Sequence, residues 1–226
     1  MKIETYLNNL KSKFENDGYL HLESIIDKKN LNIILKKSLK FQKDRKIGNT
    51  KYLQIHKVIP EVNLIYKNKY LQFLLKYILD YKNIYGLQSE FFFNPPGTKG
   101  YGQHQDDFFL KTGRDNSFNL WIPLVNTNRL NGTLNFAKKS HKLKINKKAN
   151  IFNLDGVGKK DKSLDKFNNT NCNCKFGDAI VISNHIFHGS GANKSKKNRY
   201  VLALGFINNT ERYVPGKTAK RKPFNI

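Results

Sequence analysis

Cysteine, acidic residues and long apolar runs are what this chain has least of. Only Cys172 and Cys174 are present, and one intervening residue gives neither a zinc knuckle nor a disulfide framework. No stretch approaches the roughly 20 apolar residues of a membrane span. The N-terminal MKIETYLNNLKSKFENDG has no apolar run of signal-peptide length, so a soluble, cytoplasmic protein is expected. Asp and Glu number 17 against 41 Lys and Arg, a formal net charge of +24. One reading is a surface for nucleic acid, anionic lipid or an anionic substrate. The other is compositional bias: lysine far outnumbers arginine, asparagine is abundant, and the lysines spread over Lys36–Lys51, Lys138–Lys148, Lys159–Lys166, Lys194–Lys197 and Lys217–Lys222.

What is present fits one domain. A chain of 226 residues, 38% hydrophobic and 12% aromatic, is ample for a single core and short for two. Apolar spacing predicts helices over Ile3–Asn16 (Leu7, Leu10, Phe14), Lys28–Phe41 behind an Asp27 cap, and Lys69–Tyr81. A basic loop is expected over Gln42–Lys51. From Ile84 the period becomes that of strands, over Tyr85–Asn94, Gly102–Asp106, Asn119–Leu124, Thr133–Phe136, Gly177–Ile182 and Asn198–Asn208. The expected architecture is α+β, a jelly roll over about 84–210 buttressed by a helical part over about 1–83. Lys138–Cys174 is expected to be a long loop, more often a lid than an accident, and Val214–Ile226 a basic tail.

The chemistry converges on Gly102–Leu110, GQHQDDFFL. In an extended strand His104 and Asp106 point the same way and Gln105 the opposite way. An imidazole beside a carboxylate makes two thirds of a metal site, and one further His would complete a 2-His-1-carboxylate triad on non-heme Fe(II). His188 is the candidate, followed by Ser190 at two residues and Arg199 at eleven. His185 competes with it, and the Gly-Ser and Arg spacing favour His188, leaving His185 a supporting or structural role. Asp107 falls on the other face of the strand. In NRYVLALGF, Arg199, Val201, Ala203 and Gly205 share one face, and a guanidinium buried there needs an anion. His21, His56 and His141 read as structural or surface residues.

These stretches resemble the phytanoyl-CoA dioxygenase family, a branch of the Fe(II)/2-oxoglutarate oxygenases that includes ectoine hydroxylase. The resemblance runs from FENDGYLHLESII (Phe14–Ile26) through SEFFFNPPGTKGYGQHQDDFFL and NLWIPLVNTNRLNGTLNFAKKSHK to FGDAIVISNHIFHGSGANKSKKNRYVLALGF. The sequence departs from the family at Lys138-Lys139, where Pro-Gly is usual. The resemblance implies a hydroxylase using Fe(II), 2-oxoglutarate and O2, with His104, Asp106 and His188 as iron ligands. Arg199 would hold the distal carboxylate of 2-oxoglutarate, with Ser190 adding a hydroxyl. Trp121 would stand near the cosubstrate, and Gln88 matches a Gln that touches 2-oxoglutarate in ectoine-hydroxylase-like members. A halogenase of the same fold would lack the carboxylate, so Asp106 argues for hydroxylation.

The implied partner is a small-molecule substrate, acted on by a monomer or homodimer, with nucleic acid attracted only non-specifically. Two alternatives stay open: a basic nucleic-acid- or polyanion-binding jelly roll with a relic site, and an oxygenase acting on nucleic acid.

Overall fold

The computed structural model describes residues 3–44, 51–144, 164, 166–217 and 219–226. Helix α1 (Ile3–Asp17) ends where Gly18, at φ +82°, donates its N–H to Phe14 O at 2.8 Å. Strand β1 (Tyr19–Leu22) follows, then α2 (Lys28–Asp44), whose first turn is capped by the Asp27 carboxylate, accepting from the N–H groups of Lys29 and Asn30. After β2 (Lys51–Leu53) come α3 (Val62–Tyr66) and α4 (Lys69–Leu79). Asn68 caps α4, its side chain accepting from Leu71 N at 3.0 Å. The strands are then β3 (Tyr85–Asn94), β4 (Tyr101–His104), β5 (Ser117–Pro123), β6 (Leu134–Ala137), β7 (Asn169–Cys172), β8 (Ala179–Ser183), β9 (His188–Ser190) and β10 (Arg199–Ile207). A short α5 (Asp107–Leu110) lies between β4 and β5.

The strands form a six-stranded sheet in the order β1-β8-β5-β10-β3-β2 and a four-stranded sheet in the order β4-β9-β6-β7. Every strand pair is antiparallel. Period-two alternation divides the larger sheet into two faces. Phe118, Leu120, Leu202, Leu204 and Phe206 pack with Leu7, Leu31, Ile34, Leu71 and Leu75 of the helices. Trp121, Ile180, Ile182 and Val201 turn the other way and meet Leu134 and Phe136 of the smaller sheet. This is the α+β jelly roll with buttressing helices that the spacing predicts.

Three expectations change. The strand predicted over Gly102–Asp106 ends at His104, and Asp106 is helical at φ −63°, ψ −33°. The turn is imposed from outside the strand: Asp107 N donates to Asn184 O at 2.9 Å, and the N–H groups of Phe109 and Leu110 donate to Asp106 O. The Asp107 carboxylate then accepts from Thr112 N and Thr112 Oγ1, closing the loop. Second, the basic tail is docked. Phe224 exchanges backbone hydrogen bonds with Gly86 at 3.0 and 2.9 Å and stacks on His56 with ring centroids 4.6 Å apart. Third, α2 runs on to Asp44 and β2 begins at Lys51, so the basic loop shrinks to 45–50, outside the described residues. The expected loop Lys138–Cys174 begins with a 3-10 turn, Ser140–Lys142, and ends in β7; its middle, 145–163, also lies outside them.

Lys139 adopts φ +72°, at the position where the resembled family carries Gly. Its N–H bonds Asp17 O at 3.2 Å, and Lys138 Nζ pairs with Asp17 Oδ2 at 2.9 Å. The turn is therefore kept without the residue that adopts it most cheaply. Among the described residues no helix is long and apolar enough to cross a membrane.

Candidate metal centre

His104 and His188 stand directly opposite each other, paired in register across β4 and β9. Each ring is fixed from behind. His104 Nδ1 is 2.8 Å from Gly102 O and His188 Nδ1 is 3.2 Å from Ile186 O. A carbonyl can only accept, so both rings carry a proton on Nδ1 and turn Nε2 toward the shared centre. Both Nε2 atoms face Asp106: His104 Nε2 lies 3.3 Å from Oδ1 and His188 Nε2 3.6 Å from Oδ2. Donors about 2.1 Å from one octahedral ion stand roughly 3 Å apart at right angles, so this spacing suits a single cation. The donor atoms of His104, Asp106 and His188 all lie within 4.8 Å of one another. The two residues of the H-x-D motif thus meet through a turn, not along one strand face.

Electrostatics favour the ligating protonation states. Burial pushes the His188 imidazole down to about 4, against the pull of Asp106, so it is neutral. Burial pushes the Asp106 carboxyl up, but the His188 and His104 rings beside it and the bond donated by Asn119 outweigh that and hold it below the usual carboxylate range. Asn119 Nδ2 donates to Asp106 Oδ2 at 2.6 Å and to Asn184 Oδ1 at 3.1 Å. The sequence spacing makes Asn119 the first residue of a predicted strand and gives it no role; its position fixing the carboxylate emerges only from the register of β5. His185 is elsewhere, with Nε2 3.3 Å from Asp107 Oδ2.

The three side chains open into a cavity of about 260 Å³ between the sheets, lined also by Gln88, Trp121, Ser190, Val201, Ala203 and Arg199. Arg199 is 3% exposed. Its Nη2 donates to Asn94 Oδ1 at 3.0 Å, while Nε and Nη1 have no hydrogen-bond partner. Among the described residues no carboxylate pairs with it, and burial pushes its pKa down to about 10. An unneutralised guanidinium in such a place is costly unless an anion joins it. Gly132, at φ +86°, packs closely here: a Cβ would lie 2.2 Å from Gly191 O and 2.8 Å from Arg199 Nη1.

Ser190 Oγ accepts from Tyr101 N at 3.4 Å and faces the same cavity. Gln88 lines it too, but its Oε1 accepts from Arg221 Nε of the C-terminal segment. Arg221 and Lys51 complete the wall. Neither was identified from the sequence; the one signal for Arg221 was a lone arginine within a lysine-rich tail. Lys51 lies 3.4 Å from Glu90 Oε2.

Comparison with known proteins gives a match to the family model described as Phytanoyl-CoA dioxygenase (PhyH) over residues 14–201. An Arabidopsis thaliana protein named phytanoyl-CoA dioxygenase is 28% identical over 178 residues, 74% of this chain and 62% of that protein. The chain thus spans under two thirds of that relative's length. Among solved structures, the non-heme alpha-ketoglutarate-dependent epimerase SnoN from nogalamycin biosynthesis superposes with a TM-score of 0.78 at 14% identity, covering 92% of this chain and 82% of that one. EctD from S. alaskensis, solved with 2-oxoglutarate and 5-hydroxyectoine, gives 0.75 at 18% identity, covering 94% and 78%. At these identities the structures establish a shared fold.

Proposed function

The chain belongs to the phytanoyl-CoA dioxygenase family, and from that premise we propose that it is an Fe(II)- and 2-oxoglutarate-dependent dioxygenase hydroxylating a C–H bond of a small molecule. One pairing carries the reading: a His104, Asp106, His188 cluster with donors within 4.8 Å shares its cavity with Arg199, a buried cation with two unpartnered nitrogens. When bound, iron and the 2-oxo acid supply the oxidising chemistry, in which O2 and 2-oxoglutarate yield succinate, CO2 and a hydroxylated product.

The chain's own part is positioning. His104 and His188 would hold the ion through Nε2 and Asp106 through its carboxylate, and three protein ligands would leave room beside them for the 2-oxo acid and O2. Arg199 receives the far carboxylate of the 2-oxo acid in its planar fork, with the Ser190 hydroxyl beside it. Trp121, Val201, Ala203, Leu134 and Ile182 form a dry wall that limits access of water to the reacting atoms. Gln88 holds Arg221 at the cavity wall. The substrate is small, since about 260 Å³ lies just under the roughly 300–1,000 Å³ usual for ligand pockets. With Lys51 already paired with Glu90, Arg221 is the cation at this wall that favours one bearing an anionic group.

The test is an anaerobic titration with Fe(II) and 2-oxoglutarate, followed by a metabolite-extract screen for substrate-stimulated succinate formation. A weak visible charge-transfer band is expected, lost in His104→Ala, Asp106→Ala and His188→Ala but kept in His185→Ala. Loss in His185→Ala with retention in His188→Ala would overturn the ligand assignment. No succinate under any condition would return the basic binding-protein reading.

A further inference from the structure

A second group of donor side chains lies away from this cavity and shares no residue with it. His21 of β1, Cys172 at the end of β7 and Cys174 bring their donor atoms within 4.8 Å of one another. We propose that these three residues bind a zinc ion that ties the two sheets of the jelly roll together at one edge.

The sulfurs set the geometry. Cys172 Sγ and Cys174 Sγ are 3.9 Å apart, and both cysteines are free and buried. A disulfide would need about 2.05 Å. Two thiolates about 2.3 Å from one tetrahedral zinc stand roughly 3.8 Å apart, so the observed separation already matches shared coordination. Two thiolates and an imidazole form a donor set that selects zinc over harder cations. Behind the imidazole stands the carboxylate usual for a metal-bound histidine: Asp178 Oδ2 is 2.8 Å from His21 Nε2. Asp178 is itself fixed, accepting from Ser24 N at 2.9 Å and Lys175 N at 2.8 Å.

Backbone pairing holds each donor in place. His21 is in register with Ile180 of β8 and Cys172 with Leu134 of β6. Cys174 exchanges hydrogen bonds with Thr127 at 2.8 and 3.1 Å. Most of the ordering cost is therefore met by the fold before an ion arrives. The placement has a consequence as well. β1 is the edge strand of the larger sheet and β7 the edge strand of the smaller, so the ion would link two edge strands that, among the described residues, do not pair with each other. The sequence could not reveal this, because a Cys-x-Cys pair gains its third donor from a residue some 150 positions earlier.

Cobalt(II) is the probe. The full-length protein, stripped of metal by a chelator under anaerobic, reducing conditions, is titrated with Co(II) alone and then with Zn(II). A thiolate-to-cobalt charge-transfer band in the near ultraviolet should appear, saturate by two equivalents because the His104, Asp106, His188 site also takes cobalt, and be displaced by zinc. The His104, Asp106, His188 site has no sulfur and cannot produce it. Cys172→Ser and Cys174→Ser should lose the band, while His104→Ala with His188→Ala should keep it. X-ray absorption at the zinc edge of the unmodified protein, which needs no variant, should count two sulfur neighbours. A folded protein giving no thiolate band, a zinc environment without sulfur, or an oxidised Cys172–Cys174 pair in freshly isolated protein would each overturn the proposal. Any of these outcomes leaves the iron-site reading untouched.

Discussion

Asn119 holds Asp106 in place, its Nδ2 2.6 Å from Oδ2. Asp106 lies outside regular strand, in a turn, whereas His104 and His188 sit opposite each other in a ladder. The carboxylate needs an external anchor, and β5 supplies one. Asn184, one residue beyond β8, receives a second bond from the same amide, so the anchor is itself anchored.

Replacing Asn119 by Ala should therefore weaken Fe(II) binding by about 10- to 100-fold, the usual cost of losing a residue that orients a metal ligand. Asn119→Asp should do worse, placing a like charge against Asp106. Anaerobic iron titration reads both. Wild-type affinity in a folded Asn119→Ala protein would remove Asn119 from the metal centre.

His56 predicts a pH dependence of stability. The ring is buried, with Nδ1 2.7 Å from Ser89 Oγ, and it stacks on Phe224. Burial pushes its pKa down to about 4, with a smaller push from Lys57. The unfolded chain, at about 6.5, binds the proton more readily. Stability from this group is thus complete above about pH 6.5 and falls as pH drops toward 4, losing about 2 kcal/mol by pH 5. His56→Gln should flatten that part of the curve in denaturant unfolding series at several pH values. Parallel curves for variant and wild type would show that the ring does not titrate as stated.

The candidate ligands were legible because they are few in kind and fixed in spacing. Six histidines leave little choice, and the Gly-Ser and Arg that follow His188 distinguish it from His185. The alternation of β10 was equally plain, with Leu202, Leu204 and Phe206 toward the helices and Arg199, Val201 and Ala203 toward the cavity. The turn at Asp106 was not legible, since it is set by Asn184 O and by the Asp107 carboxylate on Thr112, partners that periodicity does not see. Arg221 was hidden for the same reason. Its segment is seated by Phe224 on His56 and Gly86, residues more than 130 positions away in sequence.

Lys139 offers a test of local strain. At φ +72° a side chain costs about 1–2 kcal/mol, while glycine's greater freedom in the unfolded chain gives back about 0.5–1 kcal/mol of any gain. Lys139→Gly should raise stability by up to about 1 kcal/mol, and β-branched Lys139→Val should lower it. Equilibrium unfolding decides; a destabilised glycine variant would mean that the lysine side chain contributes more than its backbone strain costs.

Arg199 separates an oxygenase from a generic metal-binding jelly roll. Of its nitrogens Nη2 is engaged by Asn94, while Nε and Nη1 keep donors without a partner, so an entering carboxylate would bind through Nη1 together with the second N–H of Nη2. Removing one partner of a buried, hydrogen-bonded charge pair costs about 2–5 kcal/mol, much of it from stranding the other charge. At 1.4 kcal/mol per decade, Arg199→Leu should weaken 2-oxoglutarate binding by roughly 30-fold or more. Arg199→Lys should recover only part, because an ammonium cannot form the two parallel bonds of the guanidinium fork. Fe(II) affinity should barely move in either variant, since Arg199 is not among the clustered ligands. Paired anaerobic titrations, one with Fe(II) and one with 2-oxoglutarate, distinguish these effects. Unchanged 2-oxoglutarate affinity in a folded, iron-loaded Arg199→Leu protein would leave the buried cation without its anion, and the cavity would have to be reassigned to a different acid.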